Sequence, residues 1–329
     1  MGSAAAESVS SPSPPWLIDG LARVEALLTS AAGASPHPLV SEPSLHLIRA
    51  GGKRLRPALV LLTSHAGMPG RHATDLAAAA IELVHIATLY HDDVLDATET
   101  RRGVPTAHNK WGTEVAVLAG DFLFACGSAL GAEASGEVPG ILARAIGEVC
   151  EGQILETGTL GDPERPVSAY IDVIERKTAA LFRAACELGA TTSGATNAQR
   201  VALMDYGLNL GLAFQIVDDL LDLVGDPTVT GKRLGTDLRE GVFTVPVLIA
   251  CARRASLVES LRTGDRELAV VMDALASTGA LSDAYELAWQ HGRLALAALA
   301  TVGDTEWTAA LESLVDGVLA QVERPERVS

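Results

Sequence analysis

The chain has 329 residues, 48% of them hydrophobic and 4% aromatic, and a formal net charge of −16. Its apolar residues are mainly Ala, Leu, Val and Ile, a mixture that favours a sizeable core of closely packed helices. Such an acidic chain is a poor match for nucleic acid, which proteins hold with Lys and Arg. The four cysteines form no Cys-x-x-Cys pair. This pattern favours an intracellular, cytoplasmic protein with reduced thiols over a disulfide framework or a zinc site.

Apolar periodicity predicts an all-α fold, a large helical bundle without strand or hairpin signals. Residues 1–15, rich in Ser, Pro and Ala, are predicted to be a disordered tail, and residues 16–329 a single domain. The predicted helices are 16–32, 42–50, 54–67, 73–97, 111–133, 137–160, 167–188, 197–224, 242–253, 266–277, 280–300 and 304–322.

Helix ends and membrane segments can also be predicted from the sequence. Thr74 and Asp304 are predicted N-caps, and Gly189 and Gly225 are predicted helix stops. No signal peptide is predicted. The most apolar stretch, 115–132, carries an aspartate in its middle, so it is predicted to be a core helix and not a transmembrane span.

Two acidic motifs end apolar helical segments. The first, HDDVLD, contains Asp92, Asp93 and Asp96; the second, DDLLD, contains Asp218, Asp219 and Asp222. In each motif the first and last aspartates are four residues apart and share a helix face, where like charges repel. A hard cation would remove that conflict, and Mg²⁺ is often bound by one or two carboxylates together with substrate phosphates. Solvated helix ends are the alternative for a single motif, but two such motifs favour a metal site.

Basic residues accompany both motifs. The segment GGKRLRP, residues 51–57, lies at a helix start, where backbone N–H groups favour an anion, and its Lys and Arg side chains add donors. Guanidinium groups can hold phosphate oxygens in a bidentate way. The candidate donors are Lys53, Arg54, Arg56, Arg101, Arg102, Lys177, Thr178 and Lys232. Because these bases collect beside aspartates in an acidic chain, we expect a diphosphate held between metal and cations.

In this arrangement the chain resembles the trans (E-type) isoprenyl diphosphate synthases, or polyprenyl synthetases. The resemblance runs from about residue 17 to 322 and rests on motifs in the family's order. These are GGKRLRP, HDDVLD, RRG-x-PT, GDFL, GQ, KT, FQIVDDLLD and GKRLGTDLREG. It implies an all-α bundle with a central cavity, a homodimer, and prenyl transfer from an allylic diphosphate, such as farnesyl or geranylgeranyl diphosphate, to isopentenyl diphosphate.

The resemblance also implies roles for individual residues. Isopentenyl diphosphate would be held by Lys53, Arg56, His85 and Arg102, and the allylic diphosphate by Arg101, Lys177, Thr178, Gln215 and Lys232. The six motif aspartates would hold three Mg²⁺ ions. The expected catalytic residues are Asp92, Asp93, Asp96, Asp218, Asp219 and Lys177. A lone His on an apolar helix is usually a core residue, but His85 lies two turns before Asp92 on the same face, which favours the binding role.

One position departs from the family. The family often has Lys after the EG that follows the second motif, whereas this chain has Val242. One cation for the allylic diphosphate is therefore missing. The resulting EGV-x-T form resembles a subgroup of actinobacterial long-chain synthases.

Product length is expected to depend on side chains before the first motif. Val84, Ala87 and Thr88 would line the path of the growing chain, and Phe124, or its neighbours Phe122 and Leu123, would form the stop. Small side chains at 87 and 88 predict a long product of roughly six to ten isoprene units. A geranylgeranyl-length product is the alternative. A terpene cyclase and a non-catalytic partner subunit are the other readings, but both commonly lose acidic residues that this chain keeps.

Overall fold

The computed structural model describes residues 14–225 and 234–323. The predicted tail lies outside the described residues except for Pro14 and Pro15, and Lys232 also lies outside them. The first helices are α1 (Pro15–Ala32), α2 (Pro38–Arg49), α3 (Leu55–Thr63), α4 (His72–Leu95), α5 (Ala107–Trp111), α6 (Thr113–Ala134), α7 (Val138–Thr157) and α8 (Val167–Ile174). They are followed by α9 (Ala180–Ser193), α10 (Asn197–Val224), α11 (Thr236–Glu240), α12 (Val245–Arg253), α13 (Ala255–Arg262), α14 (Leu268–Thr278), α15 (Ala280–Leu299) and α16 (Glu306–Leu319).

The predicted all-α fold is confirmed. The strands in the described residues are a two-residue antiparallel pair, β1 (Thr100–Arg101) and β2 (Val104–Pro105). A π-helical turn, Glu175–Ala179, separates α8 from α9. The sequence did not predict this turn, the short strands or the short helices α5, α11 and α13.

The chain divides into two compact units. Unit 1 runs to Ile146 and includes Leu181–Met204 and Leu299–Leu314. Unit 2 comprises Gly147–Ala180, Asp205–Ala298 and the chain from Val315. The first acidic motif and GGKRLRP belong to unit 1, whereas the second motif and Lys177 belong to unit 2. The single domain expected for 16–329 stays a prediction.

Helix α4 forms the core of unit 1 and is packed by α1, α3 and α6. Its alanine run, 77–80, is fully buried. Small residues let α6 approach closely, since a Cβ on Gly127 would lie 3.0 Å from the Ala80 carbonyl oxygen and 3.4 Å from Val84 Cγ2. Close packing of this kind fixes the direction of α4 and therefore the position of the aspartates at its end.

Three of the predicted helix ends are wrong. Thr74 lies inside α4, where its hydroxyl is buried and lies 3.0 Å from the Thr192 hydroxyl. The cap of α16 is Thr305, not Asp304, because the Thr305 hydroxyl accepts the backbone N–H of Thr308 at 3.3 Å. Gly189 lies inside α9. The stop at Gly225 is confirmed, since α10 ends at the preceding residue.

Gly189 is explained by packing and not by helix termination. A Cβ there would lie 2.1 Å from Thr63 Oγ1 and 2.3 Å from the Val60 carbonyl oxygen, so glycine lets α9 lie against α3. We expect Gly189→Ala to lower the free energy of unfolding by about 1–3 kcal/mol, as overpacking does. Urea denaturation measures this. Gly147→Ala is the control, because nothing lies within 4 Å of a Cβ on this helical residue, and alanine should there be neutral or stabilising. Equal effects of the two substitutions would contradict the explanation.

Two helices in the described residues are long and apolar enough to cross a membrane, α4 and α6. The apolar window of α4 is 78% buried within the protein, whereas that of α6 is only 33% buried. Burial in the protein core therefore explains the apolar composition of α4. Helix α6 buries one face against α4 and leaves an apolar stripe exposed, formed by Leu118, Ala125, Ala129 and Ala132. The expectation that 115–132 is a core helix therefore holds for one of its faces.

Candidate active site

The three aspartates of the first motif differ in their surroundings. Asp93 is buried at the end of α4, while Asp92 is half-buried and Asp96 exposed. One Asp93 oxygen, Oδ1, accepts a hydrogen bond from Arg101 Nε, and the other, Oδ2, is buried without a hydrogen-bond partner. Burial raises the pKa of Asp93, which the adjacent guanidinium of Arg101 opposes. Asp93 therefore faces protein, whereas the other two aspartates of the motif are accessible.

Arg101 and Arg102 are neighbours with different partners. Arg101 on β1 contacts Asp93, and Arg102 donates through Nη1 to the carbonyl oxygens of Leu47, at 3.0 Å, and Gly51. Arg102 has a φ of 54°, in the left-handed region that costs a non-glycine residue free energy. Its guanidinium lies against Gly52, where a Cβ would come within 2.8 Å of Cζ. The absence of a side chain at Gly52 therefore leaves room for the Arg102 guanidinium.

A basic cluster surrounds His85 in unit 1. The Arg56 guanidinium lies 4.9 Å from the Phe182 ring centroid, and its Nε is buried without a partner. Burial, together with nearby Arg102, lowers the pKa of Arg56 to about 10. Burial, followed by repulsion from the surrounding arginines, holds the pKa of His85 well below its usual range, so His85 is neutral at neutral pH. Arginines gathered around a neutral imidazole, one with an unsatisfied donor, make a site suited to an anion.

The other bases of GGKRLRP have separate positions. Lys53 lies three residues before Arg56 in the sequence. Its side chain is exposed and therefore accessible to a ligand. Arg54 is buried, and each hydrogen bond that its guanidinium donates goes to a protein acceptor. The expectation that Arg54 adds a donor for the anion is therefore wrong.

The second motif, on α10 in unit 2, repeats the pattern of one buried aspartate. Asp219 is buried and accepts hydrogen bonds from the Tyr170 hydroxyl at 2.8 Å and from Gln215 Nε2 at 3.0 Å. Burial, and then nearby Asp237, raise the pKa of Asp219 well above its usual range. Asp218 is exposed. In both motifs the middle aspartate is thus held by protein groups.

Asp222 has a role in the fold as well. Its carboxylate accepts the backbone N–H groups of Thr236, at 3.0 Å, and Asp237, at 3.2 Å. These are the first two residues of α11, so Asp222 fixes the segment TDLRE to the end of α10. This contact brings Asp237 near Asp219, whose pKa it raises.

The π-helical turn carries Lys177 and Thr178. Lys177 Nζ forms an ion pair with Glu156 on α7, and Thr178 donates to Gln215 Oε1 at 2.8 Å. Gly152 allows α7 to pass the turn, because a Cβ there would lie 2.6 Å from the backbone nitrogen of Lys177. π-helical turns are frequent at functional sites. Thr178 and Gln215 connect the turn to Asp219 of the second acidic motif by consecutive hydrogen bonds.

Several residues of this group were not assigned from the sequence. Asp237 lies within the motif GKRLGTDLREG and Glu156 lies three residues after the GQ motif, so their position was a usable signal. Tyr170 had no such signal, because its partner is 49 residues away. Val242 is half-buried after α11, and its backbone N–H donates to the Asp237 carbonyl oxygen at 2.9 Å.

The expected chain-length residues are brought together only in part. Val84 and Ala87 are buried and Thr88 is half-buried, with its hydroxyl donating to the His85 carbonyl oxygen at 2.8 Å. The Phe124 ring lies 5.5 Å from the ring of His91, the residue before Asp92. Phe124 therefore packs beside the acidic motif, and a stop farther from the motif needs another residue.

The acidic residues do not form a complete metal site by themselves. Across residues 14–225 and 234–323, no group of three or more His, Cys, Asp or Glu side chains could hold a metal ion. Mg²⁺ usually retains waters and takes substrate phosphates as ligands, so two accessible carboxylates at a helix end fit it. The unpartnered Oδ2 of Asp93 adds a buried carboxylate oxygen beside the accessible Asp92 and Asp96.

Comparison with known proteins identifies the family of the chain. The family model of polyprenyl synthetases matches residues 37–277. The nonaprenyl diphosphate synthase of Mycobacterium tuberculosis is 38% identical over 305 residues, covering 90% of this chain and 91% of that protein. A short chain isoprenyl diphosphate synthase of Methanothermobacter thermautotrophicus is also 38% identical, over 90% of this chain and 94% of that protein.

Solved structures show the same fold. The polyprenyl synthase of Caulobacter crescentus, solved in complex with calcium and isoprenyl diphosphate, has a TM-score of 0.86 and 38% identity, over 93% of this chain and 95% of that one. Its fold matches the helical arrangement described above along nearly the whole chain. The chain therefore belongs to the polyprenyl synthetase family and is a prenyltransferase.

Proposed function

We propose that the enzyme condenses isopentenyl diphosphate with an allylic diphosphate, such as farnesyl or geranylgeranyl diphosphate, to make an all-trans polyprenyl diphosphate. The observation that carries this proposal is the basic cluster at His85, where Arg56 keeps a buried donor without a partner. Lys53, Arg56, His85 and Arg102 would hold the diphosphate of isopentenyl diphosphate. Neutral His85 can donate a hydrogen bond to a phosphate oxygen without further charge.

The allylic diphosphate would be held by the residues associated with the acidic motifs. These are Arg101, Lys177, Thr178, Gln215 and Lys232, the last outside the described residues. Arg101 is already oriented by Asp93, and Lys177 by Glu156. Thr178 donates to Gln215 Oε1 in the structure. It would redirect its hydroxyl proton toward a phosphate oxygen when the substrate binds.

The proposed reaction uses these residues. The allylic C–O bond breaks and its electron pair leaves with the diphosphate, whose charge Arg101 and Lys177 stabilise. The double bond of isopentenyl diphosphate, positioned by Arg56 and Arg102, attacks the allylic carbon and forms the new C–C bond. A proton is then lost to the departing diphosphate, which restores a double bond.

We infer Mg²⁺ as the cofactor, bound by the motif aspartates together with the allylic diphosphate. When bound, it would neutralise charge on the leaving diphosphate. All six aspartates are candidates, and three ions per active site remain the expectation. Asp92, Asp96 and Asp218 are the most accessible candidate ligands, whereas Asp219 and one oxygen of Asp93, Oδ1, accept hydrogen bonds from protein donors.

The product is proposed to be long, roughly six to ten isoprene units, because residues 87 and 88 are small. Relatives do not decide this point, since proteins of equal identity are named for nonaprenyl and for short chains. A geranylgeranyl-length product therefore remains the alternative.

One incubation tests the proposed reaction. The purified chain is mixed with farnesyl diphosphate, isopentenyl diphosphate and Mg²⁺, and the dephosphorylated products are separated by chromatography. Linear polyprenols longer than farnesol are expected. Cyclic hydrocarbon would instead indicate a cyclase, and the absence of any product would favour a non-catalytic partner subunit.

We further propose a cytoplasmic homodimer in which a second copy covers the exposed stripe of α6. Leu118, 65% exposed, is its largest apolar side chain.

Light scattering after gel filtration should give twice the chain mass of 34.2 kDa. Leu118→Glu should shift the protein toward monomer, since a buried charge in an apolar interface is costly. Leu39→Glu is the control, because this residue is 81% exposed on α2. A monomeric unsubstituted protein would refute the dimer.

A further inference from the structure

Arg54 joins four segments of unit 1. Its Nε and Nη2 donate to the two carboxylate oxygens of Glu25 on α1, at 2.8 and 3.0 Å. Nη2 also donates to the Ile48 carbonyl oxygen at 3.1 Å, and Nη1 donates to Glu82 on α4 at 3.1 Å and to the Gly51 carbonyl oxygen at 3.5 Å. A guanidinium has five N–H donors, so this side chain has no donor left for a ligand.

The backbone of Arg54 is as constrained as its side chain. Its φ of 48° lies in the left-handed region, immediately before α3 begins at Leu55. Only glycine adopts this region without cost, so the surrounding contacts must hold the residue there. Its conformation sets the direction of the chain between Lys53, one residue before, and Arg56, two residues after. Both neighbours belong to the proposed site for isopentenyl diphosphate.

Glu82 supplies the buried negative charge of this region. It is 2% exposed and lies on α4, one turn before His85. Its charge favours the protonated forms of Arg54, Arg56 and Arg102 alike. Burial would lower the pKa of Arg54, but Glu25 and Glu82 outweigh it and raise that pKa. Glu82 thus lets three arginines share a small buried volume before any diphosphate is present.

We propose that Arg54 and Glu82 are positioning residues for isopentenyl diphosphate: without touching the ligand, this ion pair holds the GGKRLRP loop in the shape that presents Lys53 and Arg56. This inference rests on the proposed function of the basic cluster. It predicts a selective loss of affinity. The affinity for isopentenyl diphosphate should fall, while the affinity for the allylic substrate, which uses other residues, should not change.

The test uses the full chain and two variants. Arg54→Lys keeps the charge but cannot make the five-donor arrangement, and Glu82→Gln keeps the shape but removes the charge. For each, KM is measured for isopentenyl diphosphate and for farnesyl diphosphate, and titration calorimetry with isopentenyl diphosphate alone gives Kd. We expect Kd and KM for isopentenyl diphosphate to rise about tenfold, with KM for farnesyl diphosphate unchanged within about twofold. If Arg54→Lys fails to fold, Glu82→Gln decides alone.

A second ion pair provides the control. Arg23 on α1 donates to Asp75 on α4 at 2.7 and 3.2 Å, so it also connects α1 with α4, but at a more exposed position than Arg54. Arg23→Lys should lower the melting temperature without changing either KM. If the Arg54 and Glu82 variants behave like this control, or raise both KM values equally, the positioning role is refuted. Arg56→Ala separates the two proposals: if it too leaves isopentenyl diphosphate binding intact, the proposed site itself is wrong.

Discussion

Asp92→Asn is expected to lower kcat by at least about 100-fold, comparable to the loss of one preorganised group that stabilises transition-state charge. The carboxamide keeps the shape of this half-buried side chain but removes the negative charge that a cation requires. Asp218→Asn should have an effect of similar size, since Asp218 is the exposed first residue of the second motif. Steady-state kinetics at saturating substrates, repeated across a Mg²⁺ titration, measure both variants.

The middle aspartate should behave differently from the first. Asp93 pairs with Arg101, so Asp93→Asn leaves a guanidinium without its counter-charge. We expect KM for the allylic diphosphate to rise and the Mg²⁺ concentration for half-maximal rate to change less than in Asp92→Asn. Asp205→Asn is the control, because Asp205 is exposed on α10, the helix of Asp218. A kcat for Asp92→Asn close to that of this control would refute the metal role of the first motif.

The sequence predicted those parts of the molecule that depend on local patterns. The bounds of α10 agree with the predicted 197–224, because one apolar periodicity runs unbroken to Gly225. The predicted helix 167–188 was less accurate, since a π-helical turn leaves the apolar pattern almost unchanged. Gly189 resembled a helix stop, yet its small size serves a contact with Thr63, 126 residues away in the chain and therefore invisible to local pattern.

The same distinction applies to the active site. Spacing alone indicated that the outer aspartates of each motif share a face, but the inward direction of Asp93 and Asp219 depends on Arg101, Tyr170 and Gln215. Arg54 looked like one more phosphate ligand among the bases of GGKRLRP. Its assignment changed because its acceptors come from α1, α2 and α4, which only the folded chain brings together.

The second large effect concerns product length. Ala87 lies five residues before Asp92, which is about 7.5 Å along a helix. An extended isoprene unit spans roughly 4–5 Å, so a ring at position 87 would meet the growing chain after about two units beyond the acidic motif. We therefore expect Ala87→Phe to shorten the main product to roughly three isoprene units, the two that fit before the ring and the one added in the last condensation. Chromatography of the dephosphorylated products against linear polyprenols measures this change.

Stability has to be measured in parallel, because Ala87 is fully buried and an added ring costs about 1–3 kcal/mol in a packed core. Thr88→Phe, at a half-buried position next to Ala87, should shorten the product at a smaller cost in stability. A folded Ala87→Phe enzyme with the original product length would show that the chain does not grow along this face of α4. If the unsubstituted enzyme already stops near four units, the geranylgeranyl-length alternative holds and the stop lies close to Ala87.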